Sequence, residues 1–215
     1  MKPSILCPVD FSAASRAALA YAAALSDHFG SDLVVMTAND PLLAEAAAMD
    51  SSPARVEVDT LAELKRFFGE AVQRRLRGGQ AVFVIGTGQP APEILRVARE
   101  RRIGLIVISS HGLSGFRKMF FGSTTERVLR ETPAPVLVVP GDARGPESLE
   151  DAVSAVRRVL APVLPSRGAE QLTIVRAIAE TLRVPAILLH VVEPVRAVLP
   201  NGGHYLPSIE RERRA

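Results

Sequence analysis

The sequence of 215 residues has no tryptophan, and aromatic residues make up only 5% of it. Reading bases by stacking them on aromatic platforms therefore has little to work with. There is one cysteine, Cys7. A single thiol excludes an internal disulfide and a cysteine-cluster metal site, and its place in an apolar run fits a small buried side chain. No apolar run approaches the roughly 20 residues of a membrane-spanning helix. The N-terminal run stops at Asp10, too soon for a signal-peptide hydrophobic region. No G-x4-G-K-S/T stretch occurs, which disfavours P-loop motors and kinases. Neither sign of charge is in large excess: the formal net charge is +3. The pI is near 9.5, yet the arginines are scattered apart from Arg211, Arg213 and Arg214. Neither nucleic acid nor a membrane is expected as a partner, and the chain reads as cytoplasmic.

What is present is ordinary for a protein that buries a core, with 47% hydrophobic and 23% charged residues. Short apolar runs alternate with helical patterns. Strands are expected at Ser4–Val9, Asp32–Ala38, Ala81–Ile85, Leu105–Ser109 and Val136–Val139. The Ala-rich stretch from Ala13 to Phe29 reads as a helix stopped by Gly30. Residues from Asn39 to Pro53 read as a long connection. A capping box at Thr60 and Glu63 opens a helix to Arg77, and Pro92 starts another that runs to about Arg102. A second box, Ser123 with Glu126, opens the helix between the last two strands. This alternation implies an α/β fold, a parallel sheet with helices on its faces.

The stretch from Leu105 to Val139 carries the chemistry. A strand breaks into Ser-Ser-His-Gly, and Gly122-Ser123-Thr124 then heads a helix. A glycine-containing loop frees backbone N–H groups, and a helix N-terminus adds about half a positive charge. Together they make a seat for phosphate. Each residue also has a plainer reading: Ser123 as a helix cap, Asp10 as an Asx-turn acceptor for Ser12, His111 as a loop residue bonded to backbone, Arg117 and Lys118 as a solvated face. No catalytic triad or metal cluster is visible, so no catalytic residue is assigned and any hydrolysis is expected to be slow. Gly86-Thr87-Gly88-Gln89-Pro90-Ala91 formally fits the dinucleotide fingerprint and would suggest an oxidoreductase. Its prolines and the lack of an acidic residue at the end of the next strand weigh against it.

Past Pro140 the composition turns to Gly, Asp, Arg, Pro and Glu, as in a linker. Val159-Leu160-Ala161-Pro162-Val163 then matches Ile5-Leu6-Cys7-Pro8-Val9, Ser166 falls on Ser12, and Ala186–Leu189 falls on Asp32–Val35. This is an internal repeat. The expected organisation is a phosphate-binding domain at 1–141, a linker at 142–157 and a partial β-α-β second copy at 158–215. Leu164 stands where the first copy has Asp10, and the glycine loop has no counterpart, so the second copy is not expected to bind the same ligand by itself. Residues 158–194 are expected to dock on the first domain or on a partner chain. His190 reads as structural. The last twenty or so residues are expected to be poorly ordered.

The PVDFS stretch at Pro8–Ser12, LIVISSHG at Leu105–Gly112, the spacing from Gly112 to Gly122-Ser123, and APVLVVP at Ala134–Pro140 together resemble the nucleotide-binding universal stress proteins. The family's loop is Gly-x2-Gly-x9-Gly-Ser/Thr, and Ser109 stands where its first glycine would be. The resemblance implies a Rossmann-like sheet of order 3-2-1-4-5, with a binding crevice between the ends of strands one and four. It implies adenine and ribose among Pro8, Val9, Asp10, Met36 and Thr37. The phosphates of ATP, with or without Mg, would then lie against Gly112, Gly122, Ser123 and Thr124, with Ser109 and His111 also in the site. It also implies a homodimer through the edge strand Val136–Val139. The stress-response function expected is a nucleotide-operated switch, or else a nucleotide-free protein acting through protein contacts.

Overall fold

A computed structural model describes residues 4–39, 53–72, 76, 79–111, 121–154 and 157–162, with shorter pieces at 172–173, 175–176, 179–180, 183–189, 197–198 and 204–205. Two compact units divide it, Met1–Ala155 and Val156–Ala215.

In the first unit, strands β1 (Ile5–Pro8), β2 (Leu33–Asn39), β3 (Ala81–Thr87), β4 (Leu105–Ser109) and β5 (Val136–Val139) form one parallel sheet in the order β3-β2-β1-β4-β5. The helices are α1 (Ala13–Phe29), α2 (Pro53–Ala71), α3 (Pro90–Glu100), α4 (Ser123–Glu131) and the short α5 (Leu149–Ser154). Strand residues point alternately to the two faces. Ile5, Cys7 and Val9 join Leu33, Val35 and Val107 in a core with Ala18, Leu19, Leu64 and Phe67 of α1 and α2. Leu6, Val34, Met36, Ile106 and Ile108 join Ile94, Val97 and Val128 of α3 and α4 on the other face. Strands covered on both faces are apolar throughout, which is why their sequences run unbroken rather than alternating. Cys7 is fully buried, and burial pushes its thiol pKa up.

The ends of α1 follow the residues expected. Ser12 caps it by accepting from the N–H of Ser15, and Gly30 closes it in the left-handed conformation at φ 58°. The other helix starts differ. α2 begins at Pro53, ahead of the Thr60–Glu63 box, and Thr60 Oγ1 donates to the carbonyl of Val56 one turn back instead of capping anything. The proline that reads as a break is a helix opener, because its missing N–H costs nothing in a first turn. α3 begins at Pro90, with Gln89 as its cap. α4 is capped by Gly122 without a side-chain bond, so the Ser123–Glu126 box does not form. Its register is set by the N–H of Gly122, which donates to the Ser110 carbonyl at 2.9 Å. Ser123 thereby becomes the first helical residue, and Glu126 pairs with Arg130 instead.

The stretch read as a linker carries α5, and α5 packs on α1. The second unit contains β6 (Val159–Pro162) parallel to β7 (Ala186–Leu189), and a short antiparallel pair, β8 (Ala197–Val198) with β9 (His204–Tyr205). β1 sets Ile5 opposite Leu33, whereas β6 sets Val159 opposite Ala186. By pairing, Ala186 stands where Leu33 does, one residue from the match read in the sequence. Leu164, Ser166 and His190 lie outside the described residues. Among the described residues no helix is long and apolar enough to cross a membrane.

Candidate functional site

Between the ends of β1 and β4 the crossovers leave in opposite directions, and the sheet opens there. A cavity of about 340 Å³ occupies the opening. That volume is within the range of small-molecule sites, roughly 300–1,000 Å³. The end of β1 supplies Pro8, Val9 and Asp10, and β2 supplies Met36, Thr37 and Ala38. The end of β4 supplies Ile108 and Ser109, and the start of α4 supplies Gly122, Ser123, Thr124 and Thr125. Of the residues expected at the site, His111 is not on the cavity wall, and Gly112 lies outside the described residues, as do Arg117 and Lys118.

Each wall has a local cause. After β1 the chain turns through Phe11 in a left-handed conformation at φ 63°. The turn is held by Asp10, whose Oδ1 accepts from both the N–H (3.1 Å) and the hydroxyl (2.6 Å) of Ser12. It is held on the other side by Phe11, whose ring meets Phe67 edge-on at 5.4 Å. So the Asx-turn role of Asp10 is real, and it coexists with a place on the cavity wall. The α4 wall is pinned to β4 twice. Besides the bond from Gly122, the hydroxyl of Thr125 donates to the Ser109 carbonyl at 2.8 Å. The first intrahelical bond of α4 runs from Glu126 to Gly122, so the N–H groups of Ser123, Thr124 and Thr125 lie ahead of it. Those three donors and the positive end of the helix dipole meet the cavity.

Ser109, in the place of a family glycine, is 7% exposed and does not have a positive φ. It is an ordinary strand residue opposite Val139. His111 turns toward Gly141: a Cβ built on that glycine would lie 3.7 Å from His111 Nδ1. Nδ1 is 2.9 Å from Ser110 Oγ, and Nε2 is buried with no hydrogen-bond partner among the described residues.

The sequence reading missed Ser15, Ala38, Pro90, Ile94, Ile108 and Thr125 on the cavity wall. Ser15 Oγ donates to the Ser12 carbonyl, and its neighbours in the sequence advertise a helix start and nothing else. Pro90 and Ile94 come from the start of α3, the helix behind the Gly86–Ala91 fingerprint. That fingerprint makes no phosphate seat. A Cβ on Gly86 would lie 2.8 Å from the carboxylate of Glu93, so this strand glycine makes room for a side chain of the helix that follows it. Pro90 and Pro92 remove two of the N–H donors a bound phosphate would need. α3 thus offers the cavity an apolar surface, and α4 offers it donors.

A sequence model of the universal stress protein family matches residues 1–140. The chain belongs to the universal stress protein family. Over 63 residues it is 41% identical to the universal stress protein YxiE of Bacillus subtilis, a match covering 29% of this chain and 43% of that protein. It is 27% identical over 154 residues to the universal stress protein MJ0577 of Methanocaldococcus jannaschii, covering 65% of this chain and 95% of that one. The solved structure of MJ0577 superposes with a TM-score of 0.52 at 24% identity, covering 65% of this chain and 96% of that chain. A universal stress protein of Archaeoglobus fulgidus shares the fold at a TM-score of 0.59 and 20% identity, covering 90% of this chain and 68% of that chain. The family's α/β fold and the observed strand order agree.

Proposed function

We propose that the cavity binds an adenine nucleotide, ATP with or without Mg, and that occupancy is the switch of a cytoplasmic stress-response protein. One observation carries this reading: a helix start whose cap is a glycine held by a main-chain carbonyl. The hydroxyls of Ser123 and Thr124 are thereby spared for a ligand, beside three N–H groups at the positive end of a dipole. The phosphates sit there, against Gly122, Ser123 and Thr124. The base and sugar lie toward Met36, Ile94 and Pro90, with Asp10 and Thr37 on the wall beside them. Among the described residues the cavity wall has one carboxylate and no histidine or lysine. Any hydrolysis is slow in this reading.

Titration calorimetry with ATP–Mg, and with NAD for comparison, tests the reading. A Cβ at Gly122 meets nothing closer than 3.7 Å, and aspartate is a better helix cap than glycine. Gly122→Asp should therefore keep the protein at least as stable while setting a negative charge against the phosphates. A loss of ATP affinity of about tenfold or more is expected. No heat with ATP, or an affinity indifferent to the substitution, ends the nucleotide reading, and tight NAD binding would return the oxidoreductase.

A second reading rests on a different observation. β5 is an edge strand whose outer side is unpaired within the sheet, with Leu137 exposed on it. Edges of this kind pair with other chains. A homodimer through Val136–Val139 is compatible with nucleotide binding, and it becomes the whole function if ATP does not bind.

A further inference from the structure

Ser110 lies just outside the cavity, is 8% exposed, and is engaged on three sides. Its carbonyl accepts the N–H of Gly122, the cap of α4, at 2.9 Å. Its N–H donates to the carbonyl of Val139, the last residue of β5, at 2.8 Å. Its Oγ accepts the N–H of Gly141 at 3.0 Å and meets His111 Nδ1 at 2.9 Å. One residue thus holds the helix start that faces the cavity and the first residue of the segment that leaves the sheet.

That segment, Gly141–Glu147, crosses α1 on its way to α5. Ala143 donates to the carbonyl of Pro140 at 3.0 Å and packs against the core on the α1 side. Gly145 lies so close to α1 that a Cβ there would be 2.7 Å from Cβ of Ala20. A groove of about 560 Å³ runs between the segment, from Ala143 to Glu147, and the surface of α1 and the end of α2, with Arg16 and Glu70 on its walls. The strap is therefore seated at a few points, with open space beside them. Segments with so little buried contact open at low cost.

We propose that Ser110 is a positioning residue that couples the nucleotide site to this strap, so that occupancy of the α4 N-terminus and seating of Gly141–Glu147 on α1 reinforce each other. The proposal rests on the nucleotide reading. A phosphate bound by the N–H groups of Ser123, Thr124 and Thr125 fixes the start of α4. This fixes the peptide of Ser110 through Gly122, and a fixed Ser110 presents its hydroxyl oxygen to Gly141. Coupling of this kind is reciprocal, so loosening the strap must weaken nucleotide binding by the same factor. The alternative is that Ser110 only stabilises the fold, in which case its loss lowers stability but leaves any effect of ATP on the strap intact.

Hydrogen exchange of the full chain, with and without ATP–Mg, separates the two when read beside calorimetry. In the wild type, ATP should slow exchange across Gly141–Glu147 about fivefold or more. Ser110→Ala should still bind ATP, more weakly, and lose that dependence, and Ser110→Thr, which keeps the hydroxyl, should restore it. Gly145→Ala displaces the strap without touching Ser110 or the cavity. It should weaken ATP binding about fivefold in the wild type and have no effect in the Ser110→Ala background. ATP binding without protection of the strap, or protection that survives Ser110→Ala, overturns the coupling and leaves the nucleotide reading standing. Absence of ATP binding by calorimetry overturns both.

Discussion

At the end of β1 the backbone adopts φ 63° at Phe11, a conformation that costs a non-glycine residue about 1–2 kcal/mol. The surroundings offset that cost through the Ser12 bonds to Asp10 and the Phe11–Phe67 contact. What the turn gains is placement: it carries the Asp10 carboxylate to the cavity wall. Ser109 is the opposite case. Its φ is not positive, so the family's glycine at this position is not required by this backbone, and the difference between the two residues is one of space. Ser109→Gly should accordingly lower stability by about 0.5–1 kcal/mol, the usual cost of glycine in a strand. It should also raise ATP affinity by opening the cavity floor. Urea denaturation and calorimetry read the two effects separately, and an affinity that stays level or falls would mean the serine does not obstruct the ligand.

α4 shows how an element's register can escape its own sequence. Ser123 followed by Glu126 has the spacing of a capping box, and that local signal loses to a tertiary bond, Gly122 N–H to Ser110 carbonyl. The second pin is Thr125, buried at 4% exposure, whose hydroxyl donates to the Ser109 carbonyl. Thr125→Val keeps the shape and removes the donor. A loss of about 1–3 kcal/mol in unfolding free energy is expected, because the buried carbonyl is deprived of that donor. ATP binding should weaken with it as the helix start loosens, and an unaltered urea midpoint would show that this bond does not hold α4. The strands were legible as short apolar runs, and β4 and β5 fall where Leu105–Ser109 and Val136–Val139 placed them. The adjacency of β1 and β4 was not legible from the residues, because nothing local in Ile5–Pro8 names a partner a hundred positions away; the family resemblance supplied it. Ser123 and Thr124 could be picked out because a glycine at a helix start leaves a local signature, whereas the place of Asp10 at the site came from the family resemblance. Ile94 could not, since it reaches the cavity only through the way α3 crosses the strand ends. Nor could Ser110, whose bonds to Gly122, Val139 and Gly141 reach three separate stretches of the chain.

At the scale of the whole molecule, two surfaces among the described residues are ones a solitary chain would not favour. One is the β5 edge, where Leu137 is 36% exposed. The other belongs to the second unit, where β6 and β7 form a two-stranded ribbon with Leu160, Ile187, Leu188 and Leu189 between 45% and 60% exposed. Two strands alone are marginal in water. Apolar exposure on that scale marks a surface that another element covers. If copies associate through the β5 edge, as proposed, then Leu137→Lys should convert the dimer to a monomer in sedimentation at tens of micromolar, since a lysine on an edge strand is a standard block to pairing. Leu137 is not on the cavity wall, so ATP affinity measured by calorimetry should not change. Leu188→Lys supplies the contrast, because it breaks association through the second unit and leaves the β5 edge untouched. A wild-type protein that sediments as a monomer removes the dimer altogether. A dimer that survives Leu137→Lys and falls apart with Leu188→Lys moves the interface from the edge of the five-stranded sheet to the ribbon.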